Sequence, residues 1–199
     1  MEAFISYDKY IVKETLSSGV GVPVSFDEEI AKRESCRRRN VESYNQWMLI
    51  NIPDKSLFLD TEKSMKYQTS EVFQCLKSRD FIMTLFLSEA RRLYVSMDSK
   101  LSNDEDKGDE AKRLFADFSE EKFNNVISLP SGLDLINFIN ERCRSHDLAK
   151  SSALLYAAGI KGTLYNDEKG QRLLMFNAAE DIEPIETRKE ALPDSKLIL

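Results

Sequence analysis

The sequence predicts an α+β fold, with strands at both ends of the chain and helices between them. Three observations carry that prediction. Short strand-like runs crowd the first 60 residues, apolar residues recur at helical spacing through the middle third, and a glycine-closed helix near the end precedes two apolar runs around one polar turn. The early strand candidates are "AFIS" (3–6), "VPVSF" (22–26) and "QWMLINIP" (46–53). Between the last two lies "FDEEIAKRESCRRRNVESY". Its opening acids Asp27, Glu28 and Glu29 and its later Arg37, Arg38 and Arg39 complement a helix dipole, which predicts a helix from Asp27 to Tyr44.

Ser70 is the expected cap of the helix beginning "EVFQCLKS", and "FIMTLFLSEARRLYVSM" sets Ile82, Leu85, Phe86, Leu93 and Met97 at helical spacing. "DSKLSNDEDKGDE" (98–110) breaks the pattern, and its charge density and Gly108 predict an exposed acidic loop. Helical character resumes at "EAKRLFADF". After "SLPSG", Leu133, Ile136, Ile139 and Cys143 mark one face. A last helix runs from a cap-competent Asp147 to Gly159, the residue type suited to a left-handed helix end. Strand-like "GTLY", the turn "NDEKG", strand-like "QRLLMF" and an alternating "DIEPIE" follow. Residues 1–199 are expected to form a single domain.

Composition argues against several function classes. With 28 basic against 34 acidic residues, the net charge of −6 lacks the positive field of nucleic-acid binders. No apolar run approaches the roughly 18 residues that span a bilayer, and the start "MEAFISYDKY" does not read as a secretory signal. Cys36, Cys75 and Cys143 are odd in number and far apart, which points to reduced thiols in a cytoplasm. With no Cys-x-x-Cys and one histidine, His146, no metal is expected.

The same scarcity limits catalysis. His146 is the only imidazole that could serve a nucleophile, and at a helix start it reads as a surface or capping residue. Neither of the common glycine-rich phosphate loops occurs. Gly19 and Gly21 in "SSGVGVP" read as turn residues able to let backbone approach a ligand. In "RESCRRR", Arg33 and Arg37 lie at helical spacing beside Glu29, Glu34 and Glu42, a solvated face with weak ion pairs. An acid in the turn Asn166-Asp167-Glu168-Lys169-Gly170 is good turn chemistry by itself.

The order of the segments resembles the ADP-ribosyltransferase domains of phage and mobile-element polyvalent proteins, and is similar to the small phage anti-CRISPR ADP-ribosyltransferases. The strongest match is "AAGIKGTLYNDEKGQRLLMFNAAEDIEPI": a helix ending in Gly-Ile-x-Gly, a strand, an acid-bearing turn, a strand and a closing strand with isoleucine. "MLINIPDKSLFLDTEKSMKYQ" (48–68), which reaches Gln68, is a second match; "MEAFISYD" and "SSGVGVPVSFDEEIAKR" form a third. Together they touch about half of the chain.

The resemblance implies a split β-sheet drawn from both chain ends and NAD as cofactor. It also implies mono-ADP-ribosyl transfer to a host or defence protein in the cytoplasm of a bacterial host. It makes Asp167 the catalytic acid, with Glu168 beside it. Ser6 and Tyr7 are expected near the adenosine side of NAD, and Gly21, Ser25 and Phe26 along the nicotinamide side. Ile5 stands where the family commonly carries a histidine or arginine that hydrogen-bonds the ribose, and isoleucine cannot donate such a bond. Ser25 stands where a tyrosine is often found, as in the serine-using branch. Two expectations follow: a transferase in which Ser6 and Tyr7 take over the ribose contact, or a catalytically silent relative that binds and inhibits a macromolecular partner through the 98–110 loop or the arginine-bearing helix.

Overall fold

The computed structural model describes residues 1–6, 21–37, 44–100, 107–143 and 148–191. The chain divides into two compact units, Met1–Phe58 with Lys161–Leu199, and Leu59–Ile160.

The first unit holds β1 (Glu2–Ser6), β2 (Val22–Ser25), helix α1 (Glu28–Arg37), β3 (Tyr44–Asn51) and the start of β4 (Phe58–Asp60). After the second unit come β5 (Gly162–Asp167), β6 (Gly170–Met175), a helical turn at Ala178–Asp181 and β7 (Glu183–Ala191). The sheet order is β4-β5-β6-β2-β1-β3-β7, and every pairing from β5 to β7 is antiparallel. Strands from the two chain ends therefore alternate across one sheet. This is the α+β arrangement expected, with helices in the middle of the sequence.

Successive side chains on a strand point to opposite faces, and directly paired residues share one. One face carries Ile5, Val24, Ile50, Leu164, Leu173 and Met175, a buried apolar core joined by Phe58. The other is polar and mixed. Its register aligns Tyr165, Arg172, Ser25, Phe4 and Leu49 in one row across five strands. Contacts from α1 fall on this face: Trp47 Nε1 donates to Glu28 at 2.8 Å, and Lys32 lies 5.7 Å from the Trp47 ring centre.

The helix expected over 27–44 is shorter. It is described over Glu28–Arg37, residues 38–43 lie outside the described residues, and Tyr44 and Asn45 already pair with Ala191 and Glu190 of β7. Ladder hydrogen bonds to a strand more than 140 residues away win over local helical preference there.

The second unit is helical: α2 (Ser70–Lys77), α3 (Arg79–Leu85), α4 (Leu87–Lys100), α5 (Lys107–Ile127), α6 (Gly132–Arg142) and α7 (Leu148–Ala157). The run expected as one helix from Phe81 breaks at Phe86, whose ψ of 32° leaves the helical region while its ring stays buried. On α6 the buried positions are Leu135 and Ile139, whereas Leu133 and Cys143 are exposed. Of the expected face, Ile139 is buried and Ile136 half-buried, while Leu133 and Cys143 lie outside the buried stripe and Leu135 joins it. Helices also occupy both ends of the segment read as an acidic loop, since α4 runs to Lys100 and α5 starts at Lys107; the rest of 98–110 lies outside the described residues. Gly159 meets its expectation. Its φ of +106° ends α7, and the Ile160 N–H reaches back to the Leu155 carbonyl at 3.0 Å. Asp147 and His146 lie outside the described residues.

Gln68 is a structural clamp. Its side chain accepts from Asp60 N and donates to the carbonyls of Asp60 and Lys63, which closes the loop between them. The cap of α2 is Thr69 and not Ser70: Thr69 Oγ1 accepts from Val72 N at 3.3 Å, while Ser70 Oγ donates to the Glu71 carboxylate. Thr69→Ala is therefore expected to cost about 1 kcal/mol in urea denaturation, and Ser70→Ala less than about 0.5 kcal/mol.

Candidate functional site

The polar sheet face is organised by Arg172. Its place in β6 points it away from the apolar core, and only 3% of it is exposed. A buried guanidinium needs partners, and two carboxylates converge on it. Glu34 of α1 takes a forked pair, 2.8 Å to Nη1 and 2.9 Å to Nη2. Asp167 Oδ2 lies 3.4 Å from Nη1, a longer and weaker contact. Lys169 adds its ammonium 3.7 Å from Glu34. Burial disfavours the charge on Arg172, but the Glu34 hydrogen bonds and the facing negative charges outweigh it and raise the guanidinium above its ordinary value. The Arg172 Nε is buried with no hydrogen-bond partner among the described residues.

Asp167 ends β5 opposite Gly170, so Glu168 and Lys169 form a two-residue hairpin link. Its Oδ1 accepts from Lys169 N at 2.8 Å, the turn chemistry expected of this residue type. Its Oδ2 faces Arg172, and about a third of the side chain remains exposed. Glu168 is exposed on the link.

Tyr165 neighbours Arg172 across the β5–β6 ladder. Burial raises its phenol above the usual value, and the Arg172 charge offsets part of this. A raised folded-state value stabilises the neutral form, so that contribution is complete below the unfolded value of about 10 and is lost as pH rises through the folded one. Above about pH 10, wild type is accordingly expected to lose stability relative to Tyr165→Phe, as read from denaturation midpoints across an alkaline series.

The early strands supply the rest of the face. Ser25 is buried and pairs directly with Arg172; its Oγ accepts from Asp27 N at 3.0 Å, which shapes the entry into α1. Ser6 is buried on β1 opposite Trp47, and so shares the face of Phe4. Gly21 precedes β2 with φ +103° and packs against the carbonyl of Met175. Phe26 instead packs against the apolar core, with Lys55 Nζ 5.2 Å from its ring centre. Tyr7 lies outside the described residues. Ile5 is buried in the apolar core on the opposite face from Arg172, and the polar face of β1 belongs to Phe4 and Ser6.

A second polar cluster lies farther along this face. Arg188 donates to Glu28 at 2.6 Å and to Glu186 at 2.9 Å, and its guanidinium stands 5.9 Å from the Phe4 ring centre. Hydrogen bonds from Arg188 and then Trp47 hold the Glu28 carboxyl below its usual range.

Sequence reasoning missed Arg172 and Tyr165 altogether. It assigned Glu34 to a solvated face, whereas Glu34 forks onto a buried arginine 138 residues away. The available signal was the alternation in "QRLLMF", where one charged residue takes the face opposite Leu173 and Met175. Among the described residues no group of three or more His, Cys, Asp or Glu could hold a metal ion, and no helix is long and apolar enough to cross a membrane.

The chain has no significant match among protein-family models, curated proteins or solved structures.

Proposed function

We propose that the chain is a mono-ADP-ribosyltransferase that uses NAD to modify a host or defence protein in the bacterial cytoplasm. The observation that carries this reading is that Asp167 and Ser25 share one sheet face, separated by the strand that holds Arg172. The late hairpin thus adjoins the early strands, which the chemistry requires. In the reaction, the bond between nicotinamide and the ribose carbon breaks, nicotinamide leaves with its electron pair, and a nucleophile of the acceptor protein bonds to the same carbon. A carboxylate beside that carbon stabilises the developing positive charge and takes the proton of the nucleophile. Asp167 is suited to this, since its Oδ2 is held loosely and the side chain is partly exposed. Ser6, Ser25 and Gly21 belong to the NAD-facing surface in this reading, together with Tyr7, and Glu168 is an accessory acid.

Incubation with labelled NAD and a bacterial lysate tests the proposal. Asp167→Asn is expected to reduce label transfer at least about 100-fold, and Glu168→Gln less than about tenfold. Transfer that survives intact in Asp167→Asn removes Asp167 from the mechanism.

One observation favours a second reading, a silent relative that binds and inhibits a macromolecule. Both Asp167 oxygens already have partners within the protein, and Ile5 contributes to the core where the family commonly carries a ribose-binding residue. Absence of calorimetric NAD binding, together with absence of transfer in any lysate, selects this reading over the transferase.

A further inference from the structure

Helix α4 is amphipathic, but its outer side is only partly polar. It buries Ala90 and Met97 and leaves Leu87, Tyr94 and Val95 46%, 63% and 67% exposed. These are three of the seven large hydrophobic residues exposed among the described residues. Spacings of three, four and seven along a helix put Leu87, Arg91, Tyr94 and Val95 on one strip. Arg91, Arg92, Val95 and Ser96 line a shallow depression of about 350 Å³ beside it. Arg91 and Arg92 make no hydrogen bond or ion pair among the described residues, whereas Arg142 of the same unit is paired with Glu89 at 2.6 Å. Two guanidinium groups without partners among the described residues, beside an exposed apolar ridge, stand out on a chain of net charge −6.

We propose that this strip is a docking surface for an apolar segment of another protein that carries carboxylates. The ridge takes the partner's apolar side chains, and Arg91 and Arg92 offer forked donors to its acids. Tyrosine and arginine are among the residue types enriched at the hot spots of protein interfaces. Aliphatic Leu87 and Val95 add no stacking plane for a nucleobase. A second copy of the chain would bring the same two positive charges to the contact, where they repel. The surface is independent of NAD chemistry and serves either reading above.

The test titrates the full-length, isotope-labelled protein with a short amphipathic peptide of leucine and glutamate, and with its leucine–lysine counterpart. The expected result is saturable shifts of amide resonances on α4 with the glutamate peptide alone. Charge reversal in Arg91→Glu/Arg92→Glu is expected to weaken that binding at least about tenfold and to transfer preference to the lysine peptide. Both positions are exposed, and unchanged thermal denaturation of the variant verifies folding. Shifts away from α4, equal binding of both peptides, or no binding overturns the proposal. Concentration-dependent sedimentation abolished by Val95→Glu assigns the strip to a second copy and overturns the partner named here. Stronger shifts of the same residues with a single-stranded oligonucleotide overturn it in favour of nucleic acid.

Discussion

Arg172→Met is expected to destabilise the protein by about 3 kcal/mol, because the substitution leaves the mostly buried Glu34 carboxylate with only the more distant Lys169 ammonium, 3.7 Å away, as counter-charge. In a chain of this length that corresponds to a drop of about 6 to 12 °C in Tm. The expectation rests on geometry: the guanidinium is almost fully buried, donates a forked pair to Glu34 and makes a looser contact with Asp167. Most of the loss is the penalty of a poorly compensated buried charge and not the net worth of the pair, since desolvation nearly cancels the attraction between buried ions. The double variant Glu34→Leu/Arg172→Met removes both charges and is expected to recover to within about 1 kcal/mol of wild type. Urea denaturation of the two variants measures both quantities. A single variant as stable as wild type would mean that Arg172 is not fixed between the carboxylates, and the site built around it would fall.

Gly21→Ala is expected to cost at least about 3 kcal/mol, the sum of backbone strain and collision. At φ +103° an L side chain is strained, and a Cβ there would lie 2.6 Å from the Met175 carbonyl oxygen and 2.9 Å from Leu174 Cγ. Val22, the next residue, pairs with Met175, so relief requires β2 to move off β6 and carry Ser25 away from Arg172. The contrasting case is Gly108→Ala in α5, where φ is ordinary and no atom lies within 4 Å of the added Cβ. There the change is expected to stabilise by about 0.5 kcal/mol through helix propensity. Opposite signs for the two glycines in thermal denaturation are the decisive outcome. A mild effect at Gly21 would show that β2 tolerates displacement.

Elements with a local cause were legible in the sequence. Two apolar runs around one polar turn identified the β5–β6 hairpin, and Asp167 makes the turn hydrogen bond that its residue type favours. Gly159 was recognised as a helix terminator because only a positive φ suits that position readily. The end of α1 was misplaced because residues 44 and 45 are claimed by β7, a partner no local window contains. On α6 the expected Ile139 is buried, but Leu133 was included and Leu135 missed, because the edge of a buried stripe depends on what packs against it.

The candidate site divides along the same line. Asp167 was visible as an acid in a turn, but its neighbours were not. By itself the sequence determined the α+β order of elements, the hairpin and its acid, and the terminating glycine, since each follows from propensities within a few residues. Only the tertiary structure decided that β6 lies beside β2, that Ile5 faces the core while Ser6 does not, and that Glu34 and Arg172 meet. The physical reason is that strand register has a period of two and buried charge must find its counter-charge at any sequence distance, so both are settled by long-range pairing.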